Sequence, residues 1–255
     1  MKKSGPLQPR LKAAGLHLLL SATVAACAAA LVFGLWYPGP YRLLSGGQDL
    51  FFLVVSVDVV LGPLLTVVVF NVNKGWPHLR RDLAVIGLIQ LAGLGYGLHT
   101  VYIARPVAMV FEMDRFRVIT AADVLVAELP KALPEYRQLP LTGPWLISIR
   151  DAQKGEERNQ ALFLAVLKGV DTSQRPIFWQ PYEKAQAQAV QKSRPVEDLR
   201  KHYASSLAEI DSKLGELQLK PGDARFLPVI ARGDWVAVLD AQGQVLGYLA
   251  FDGYF

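Results

Sequence analysis

The chain has 255 residues, 52% of them hydrophobic, and its mean hydropathy of +0.25 is too high for an ordinary soluble protein. Its net charge is +5, and this excess lies before residue 104, because 19 basic and 19 acidic residues balance each other in 104–255. A basic excess confined to the apolar part removes the main argument for nucleic-acid binding. The single cysteine, Cys27, leaves no disulfide and no CxxC zinc spacing within the chain.

Three apolar windows, each about 20 residues or longer, predict membrane-spanning segments. They lie at about 13–37, 50–70 and 83–103. Each should be a helix, because hydrocarbon offers backbone amides no other partner. We therefore predict a basic tail (1–12), a three-helix transmembrane domain (13–103) and a small α+β domain (104–255).

The distribution of Lys and Arg between the short loops predicts the orientation. Four lie in the N-terminal tail and three in the 71–82 loop, whereas the 38–49 loop has only Arg42. The positive-inside rule therefore places the N-terminus in the cytoplasm and 104–255 outside it. In a bacterium with two membranes, this predicts a multi-pass inner-membrane protein with a periplasmic C-terminal domain.

A cleavable signal peptide and a lipoprotein-processing site at Val24-Ala25-Ala26-Cys27 are alternatives for the N-terminus. The apolar run continues to Tyr37, well beyond the roughly 7–15 residues of a signal core. This length favours an uncleaved anchor.

Alternation and turn residues predict strands and helices in the C-terminal domain. Predicted strands cover 107–112, 116–119, 144–149, 226–230, 235–239 and 245–251. A helix over 156–168 should end at Gly169, and a second should run from Pro195 to Leu217. The second helix has apolar residues at steps of three and four, which is typical of a face turned toward a core, although a coiled-coil seam has the same spacing.

Asp58 is the most informative residue in the spans. An ionisable group at this depth is costly and usually faces a partner or a cavity. On the antiparallel third span, the same depth falls near Gly95 and Tyr96. We therefore predict the Tyr96 hydroxyl and His99 as neighbours of the carboxylate.

A helix interruption follows at Gly62-Pro63. Pro63 has no N–H, so the carbonyl of Val59 loses its helical partner. Gln90 has a matching depth and could donate to this carbonyl, and Thr66 could bond back to its own helix. Close helix approach is expected at Gly93, Gly95 and Gly97 because small residues let backbones meet.

Three interpretations of these polar residues remain open. They could hold the bundle together, engage the transmembrane helix of another protein, or conduct ions. A single carboxylate on three helices makes a poor ion pathway, and an intramembrane aspartyl protease would need a second one.

No nucleophile, base, metal or cofactor motif stands out in the C-terminal domain, so we predict no enzyme, no metal and no cofactor. The aromatic segment Arg175-Pro-Ile-Phe-Trp-Gln-Pro-Tyr-Glu183 is expected to be core, and a docking surface is the alternative.

The stretch 48–123 contains Asp58, Gly62, Pro63, Thr66, Lys74, Asp82, Gln90, Tyr96, Gly97, Arg105 and Pro106, followed by VFEMDRFRVITAAD at 110–123. In these residues and their order, the chain resembles the type IV pilin accessory protein family (TfpX/TfpZ). The resemblance extends through RPIFWQPYE to the closing strands and leaves 124–175 unmatched.

Family members are inner-membrane proteins encoded beside a particular major pilin and needed for its efficient assembly. The resemblance implies a non-enzymatic accessory factor whose partners are a cognate type IV major pilin, inner-membrane lipid and other pilus machinery. Its partner-binding or bundle-organising residues would be Asp58, Gly62, Pro63, Thr66, Gln90, Tyr96, Gly97, Arg105 and Pro106. At the junction, Pro106 would set the direction of the chain and Arg105 would reach lipid head groups.

Two other functions compete with this interpretation. One is a membrane-tethered sensor with a periplasmic ligand-binding domain, although little cytoplasmic chain is left for an output. The other is a pilin-modifying membrane enzyme, which would need catalytic groups near the interface.

Overall fold

The computed structural model describes residues 7–70 and 75–255, and these form two compact units. Of the described residues, the first unit contains 7–39, 46–70 and 75–104. The second contains Arg105–Phe255 together with Pro40–Ser45, a short segment that precedes it by 60 residues in sequence. The C-terminal domain therefore includes residues from two separate parts of the chain.

The long apolar windows form helices, as predicted. The helices before the C-terminal domain are α1 (Leu7–Leu31), the short α2 (Tyr41–Leu44), α3 (Gly47–Val69) and α4 (Trp76–Ile103). A π-helical turn, Val32–Trp36, extends α1. Within the described residues, α1 with its π-turn, α3 and α4 are each long and apolar enough to cross a membrane.

In the helical unit, α3 packs against both α1 and α4. The ends of α1 and α4 meet through aromatic side chains. The buried Tyr37 hydroxyl donates to the carbonyl of Val101 at 2.8 Å. Trp36 lies edge-to-face against Tyr102, with 5.1 Å between ring centroids. These contacts pair the C-terminal end of α1 and its π-turn with the C-terminal end of α4.

The C-terminal domain is built on a mixed eight-stranded sheet. Its strands are β1 (Pro106–Glu112), β2 (Arg115–Thr120), β3 (Trp145–Ile149), β4 (Trp179–Pro181), β5 (Arg194–Pro195), β6 (Arg225–Ala231), β7 (Gly233–Leu239) and β8 (Val245–Leu249). Seven follow the order β4-β3-β1-β2-β6-β7-β8, and β5 pairs with β6. The β1–β3 and β2–β6 pairs are parallel, and the other pairs are antiparallel.

Strand β1 is central because its apolar sequence is buried on both faces. Met109 and Phe111 belong to one core cluster, whereas Val107 and Val110 belong to another. The helices of this domain are α5 (Glu156–Lys168), α6 (Gln186–Lys192), α7 (Val196–His202) and α8 (Leu207–Glu216). Apolar residues of α7 and α8 form a third cluster with β6, β7 and β8.

The segment Pro40–Ser45 completes the first of these clusters. Leu44 is fully buried against residues that include Met109 and Phe116. Its carbonyl accepts the backbone N–H of Arg232 at 2.7 Å. The Tyr41 and Tyr248 hydroxyls lie 3.0 Å apart, and burial raises the pKa of both, so both stay neutral at physiological pH.

Strongly local patterns in the C-terminal domain are confirmed. The hairpin forms around Met113, the helix over 156–168 ends at a left-handed Gly169, and the closing strands lie within two residues of the predicted bounds. The Arg175–Glu183 segment is core: Phe178, Trp179 and Tyr182 are all buried.

The prediction of one helix from Pro195 to Leu217 is wrong. The chain leaves α7 at Tyr203 and makes a 3-10 turn, Ala204–Ser206, before α8. Arg200 then makes two hydrogen bonds to the Asp211 carboxylate, at 2.9 and 3.0 Å. In a straight helix these residues would be about 16 Å apart along the axis, so the contact requires the bend. The predicted apolar face is nevertheless turned toward the core, since Val196 and Ile210 are fully buried.

Candidate functional site

A polar network joins the three long helices. The two ring nitrogens of His17, on α1, lie 2.5 Å from Thr66 Oγ1 on α3 and 2.8 Å from Gln90 Oε1 on α4. Gln90 Nε2 donates to the backbone carbonyl of Asp58 at 3.0 Å, and the Thr66 hydroxyl donates to the carbonyl of Gly62. In an apolar bundle, such bonds fix which faces of the helices meet.

The spacing of residues on α3 explains this arrangement. Asp58, Gly62 and Thr66 follow each other at intervals of four and so share one helix face. A side chain on Gly62 would collide with the amide of Gln90, so glycine makes room for the cross-helix bond. The predicted back-bond of Thr66 is confirmed. Gln90 does donate to a carbonyl of α3, but to that of Asp58, one residue before the expected Val59.

A cavity of about 160 Å³ lies beside the network, and we refer to it as the α1–α4 cavity. Asp58 and Val55 of α3 line it between residues of α1 and α4. The complete lining is His17, Leu20, Ser21, Val24, Ala25, Val55, Asp58, Gly87, Gln90, Leu91 and Leu94. The Asp58 side chain makes no hydrogen bond or ion pair within residues 7–70 and 75–255, since the network uses only its backbone carbonyl. A carboxylate in apolar surroundings thus borders an open space.

Comparison with known proteins shows to which family the chain belongs. Two proteins of Dichelobacter nodosus, named fimbrial assembly protein of serogroup I and of serogroup E1, are 37% and 35% identical to it over 246 residues, which is 95% of each chain. The chain belongs to the fimbrial assembly protein family. A third protein of that organism, the fimbrial assembly protein of serogroups C1 and C2, is 46% identical over 121 residues, covering 48% of this chain and 92% of its own length.

The family model described as Fimbrial assembly protein FimB matches residues 6–46. This range includes both His17, the centre of the network, and Leu44, which enters the C-terminal core. No solved structure matches the chain.

Within the described residues, Tyr96 and His99 make no hydrogen bond to Asp58 and do not line the α1–α4 cavity, so the predicted contact with the carboxylate is not found. Both are exposed, and 77% of the Tyr96 surface is accessible. The prediction compared the depth of these residues with that of Asp58, but depth does not determine on which face of α4 a residue lies. Relative to Gln90, Tyr96 is rotated by about 120° and His99 by about 180° around α4. In this fimbrial assembly protein, Tyr96 therefore lies outside the polar network.

Close helix approach was expected at three glycines, and of these only Gly97 lies against a neighbouring helix. It is buried, and a side chain there would overlap that of Val54 on α3. Gly93 and Gly95 are exposed and have open space around them. Gly97 lies on nearly the same face of α4 as Gln90, whereas Gly93 and Gly95 are rotated farther from that face.

This difference predicts opposite effects for two alanine substitutions. Gly97→Ala is expected to destabilise the helical unit by about 1–3 kcal/mol, because the β-branched Val54 has little freedom to move away. Gly93→Ala meets no neighbour and should be neutral or stabilising by up to about 1 kcal/mol, because alanine favours helix. Thermal unfolding of both variants in one detergent measures the difference, and equal shifts in Tm would contradict it.

The expectation that Arg105 reaches lipid head groups is wrong. Its side chain is buried, and Nε donates to the carbonyl of Pro140 at 3.3 Å within the C-terminal domain. Its own carbonyl accepts the N–H of Ala121. A guanidinium can satisfy several carbonyls at once, so Arg105 joins the start of β1 to the loops beside it, and Pro106 begins the strand.

His17 is the functional candidate that sequence reasoning missed. The charged residues Lys12 and Arg42 delimit the first predicted span, and a histidine inside it is not counted among them. Two signals could have identified it. Histidine is rare in a membrane span, and His17 lies about one turn inside its predicted span, as Thr66 does at the matching end of the second.

Proposed function

We propose that this chain is an inner-membrane accessory factor of the TfpX/TfpZ type that helps a cognate type IV major pilin assemble into pili. It would bind the pilin through its spans and its periplasmic domain and would catalyse no reaction. The names of two relatives support the role in fimbrial assembly: each matches over 95% of its length and is called a fimbrial assembly protein.

The surface of the helical unit supports a membrane location. Large apolar side chains are more than half exposed along all three long helices; examples are Leu16, Leu19, Phe52, Leu53, Val68, Leu88 and Leu91. So large an apolar surface is not stable in water unless lipid or protein covers it. The seven Lys and Arg residues of the tail and the 71–82 loop favour the cytoplasm for that end of the bundle.

The C-terminal domain fits the opposite side. The 38–49 loop was predicted to be outside, and Tyr41 and Leu44 of this loop pack into the C-terminal core. Two segments that share one core must lie on the same side of any membrane that the helices cross. This packing supports a periplasmic domain in a bacterium with two membranes.

The observation that carries the proposal is the Asp58 carboxylate at the α1–α4 cavity, which has no partner in the part of the chain that the structure describes. A protein that only anchored a domain would gain nothing from a carboxylate exposed to an apolar space. A factor that recognises another protein within the membrane can use it. The polar network beside it holds the three helices in register and so preorganises the site.

Surface piliation tests this proposal. In a strain lacking the chromosomal copy, we expect the wild-type chain to restore surface pilin and Asp58→Ala to restore much less, at equal membrane levels of the two proteins. Asp49→Ala is the matched control, because Asp49 is exposed in the first turn of the same helix. Full piliation with Asp58→Ala would remove Asp58 from the mechanism, and full piliation without the chain would refute the role itself.

The location is tested separately with a reporter fused after Phe255. A fusion that is active only in the periplasm is expected. Activity in the cytosol would overturn the proposed orientation.

A further inference from the structure

The α1–α4 cavity opens to the surface of the bundle. Leu20 and Leu91 line it, yet 64% and 65% of their surfaces are accessible. A volume of about 160 Å³ is close to that of engineered protein cavities that hold one benzene molecule. The cavity therefore accommodates one large apolar side chain from outside.

Small residues on both sides of the opening would let another helix approach. Ser21 and Ala25 lie one turn apart on α1, and Gly87 lies on α4. A side chain on Gly87 would meet nothing within 4 Å, so the backbone there is open to a neighbour. Residues of this kind allow the close helix contacts found in membranes.

The remaining feature is the Asp58 carboxylate, which requires a hydrogen-bond donor. The other polar side chains that line the cavity are His17, Ser21 and Gln90. Among the described residues, the hydrogen bonds of His17 and Gln90 go to Thr66, to each other and to the Asp58 backbone, and the Ser21 hydroxyl makes none to the carboxylate. A carboxylate accepts hydrogen bonds and donates none when ionised. Charge complementarity therefore favours an occupant that supplies an N–H or O–H group.

From these features, we infer that the α1–α4 cavity binds the transmembrane helix of the pilin, which inserts one large apolar side chain and presents a basic or hydrogen-bond-donating group to Asp58. This inference rests on the proposed function and specifies its contact. The helix would lie along the opening between α1 and α4, with Gly87 and Ala25 against its backbone.

Site-specific photo-crosslinking in membranes that contain the pilin tests this contact. A photoreactive phenylalanine analogue replaces Leu91 in the cavity or, as the control, Leu88 on the same helix, which is 70% exposed and does not line the cavity. We expect a pilin adduct from position 91 and about tenfold less from position 88. Asp58→Leu should reduce the adduct from position 91 by about tenfold, the effect of one lost hydrogen bond in an apolar site.

Two further variants separate hydrogen bonding from fold damage. Asp58→Asn keeps an acceptor oxygen and should retain more of the adduct than Asp58→Leu, while Asp49→Asn should leave it unchanged. Adducts only to lipid or to a second copy of this chain, or a pilin adduct insensitive to Asp58→Leu, would overturn the inference.

The outcomes also distinguish this inference from the proposed function. If a photoreactive group in the C-terminal domain captures pilin and position 91 does not, the helix contact is refuted and the assembly role stands. If no position captures pilin and piliation survives loss of the chain, the assembly role is refuted as well.

Discussion

Leu44→Ala is expected to destabilise the C-terminal domain by about 2–5 kcal/mol, the range for removing a buried leucine side chain from a packed core. Leu44 is fully buried among residues that include Met109 and Phe116. The neighbouring Leu43 is 45% exposed, so Leu43→Ala should change stability by no more than about 0.5 kcal/mol. The two substitutions remove the same atoms from adjacent positions, so only burial distinguishes them.

Urea unfolding of the full chain in detergent measures this difference, with proteolysis of the C-terminal domain as the readout. We expect a lower urea midpoint for Leu44→Ala and a wild-type midpoint for Leu43→Ala. Equal midpoints would mean that the core does not depend on this segment. A C-terminal fragment beginning at Arg105 should be less stable than the same domain in the whole chain, because Leu44 and Tyr41 are missing from it.

The elements that the sequence predicts correctly are those set by local preferences or by overall hydrophobicity. The hairpin around Met113 and the helix that ends at Gly169 follow from local preferences, because alternation, turn residues and a left-handed glycine all act within a few residues. The three long helices follow from hydrophobicity and length alone. Such features need no knowledge of distant contacts.

The features that could not be predicted depend on distant contacts. Leu44 is one of two adjacent leucines in the short 38–49 loop, and nothing in that loop indicates the C-terminal core that surrounds its side chain. The bond between His17 and Gln90 spans 73 residues and depends on how α1 and α4 are rotated. The break at Tyr203 keeps the apolar spacing of one helix, so periodicity could not reveal it. Matching depth in the membrane placed Tyr96 beside Asp58, but depth does not determine which face of a helix turns inward.

A buried ion pair in the C-terminal domain leads to the second large prediction. Arg175 is 1% exposed, and its Nη2 lies 2.6 Å from Glu128 Oε1 while Nε donates to the same carboxylate. Its guanidinium also lies 4.8 Å above the ring of Phe178, and Nη1 has no hydrogen-bond partner among the described residues. The carboxylate of Glu128 is therefore the principal compensation for a charge removed from water.

Glu128→Ala is accordingly expected to destabilise the domain by about 3–5 kcal/mol, because it leaves an uncompensated buried charge. The exposed pair Lys213–Glu216 is the control: Glu216→Ala should cost less than about 1 kcal/mol. Replacing both partners, Glu128→Leu with Arg175→Met, should recover most of the loss, since an apolar pair of similar volume needs no compensation. Urea midpoints of the three variants measure these effects. A double variant no more stable than Glu128→Ala would show that the cost comes from lost packing at this position and not from the stranded charge.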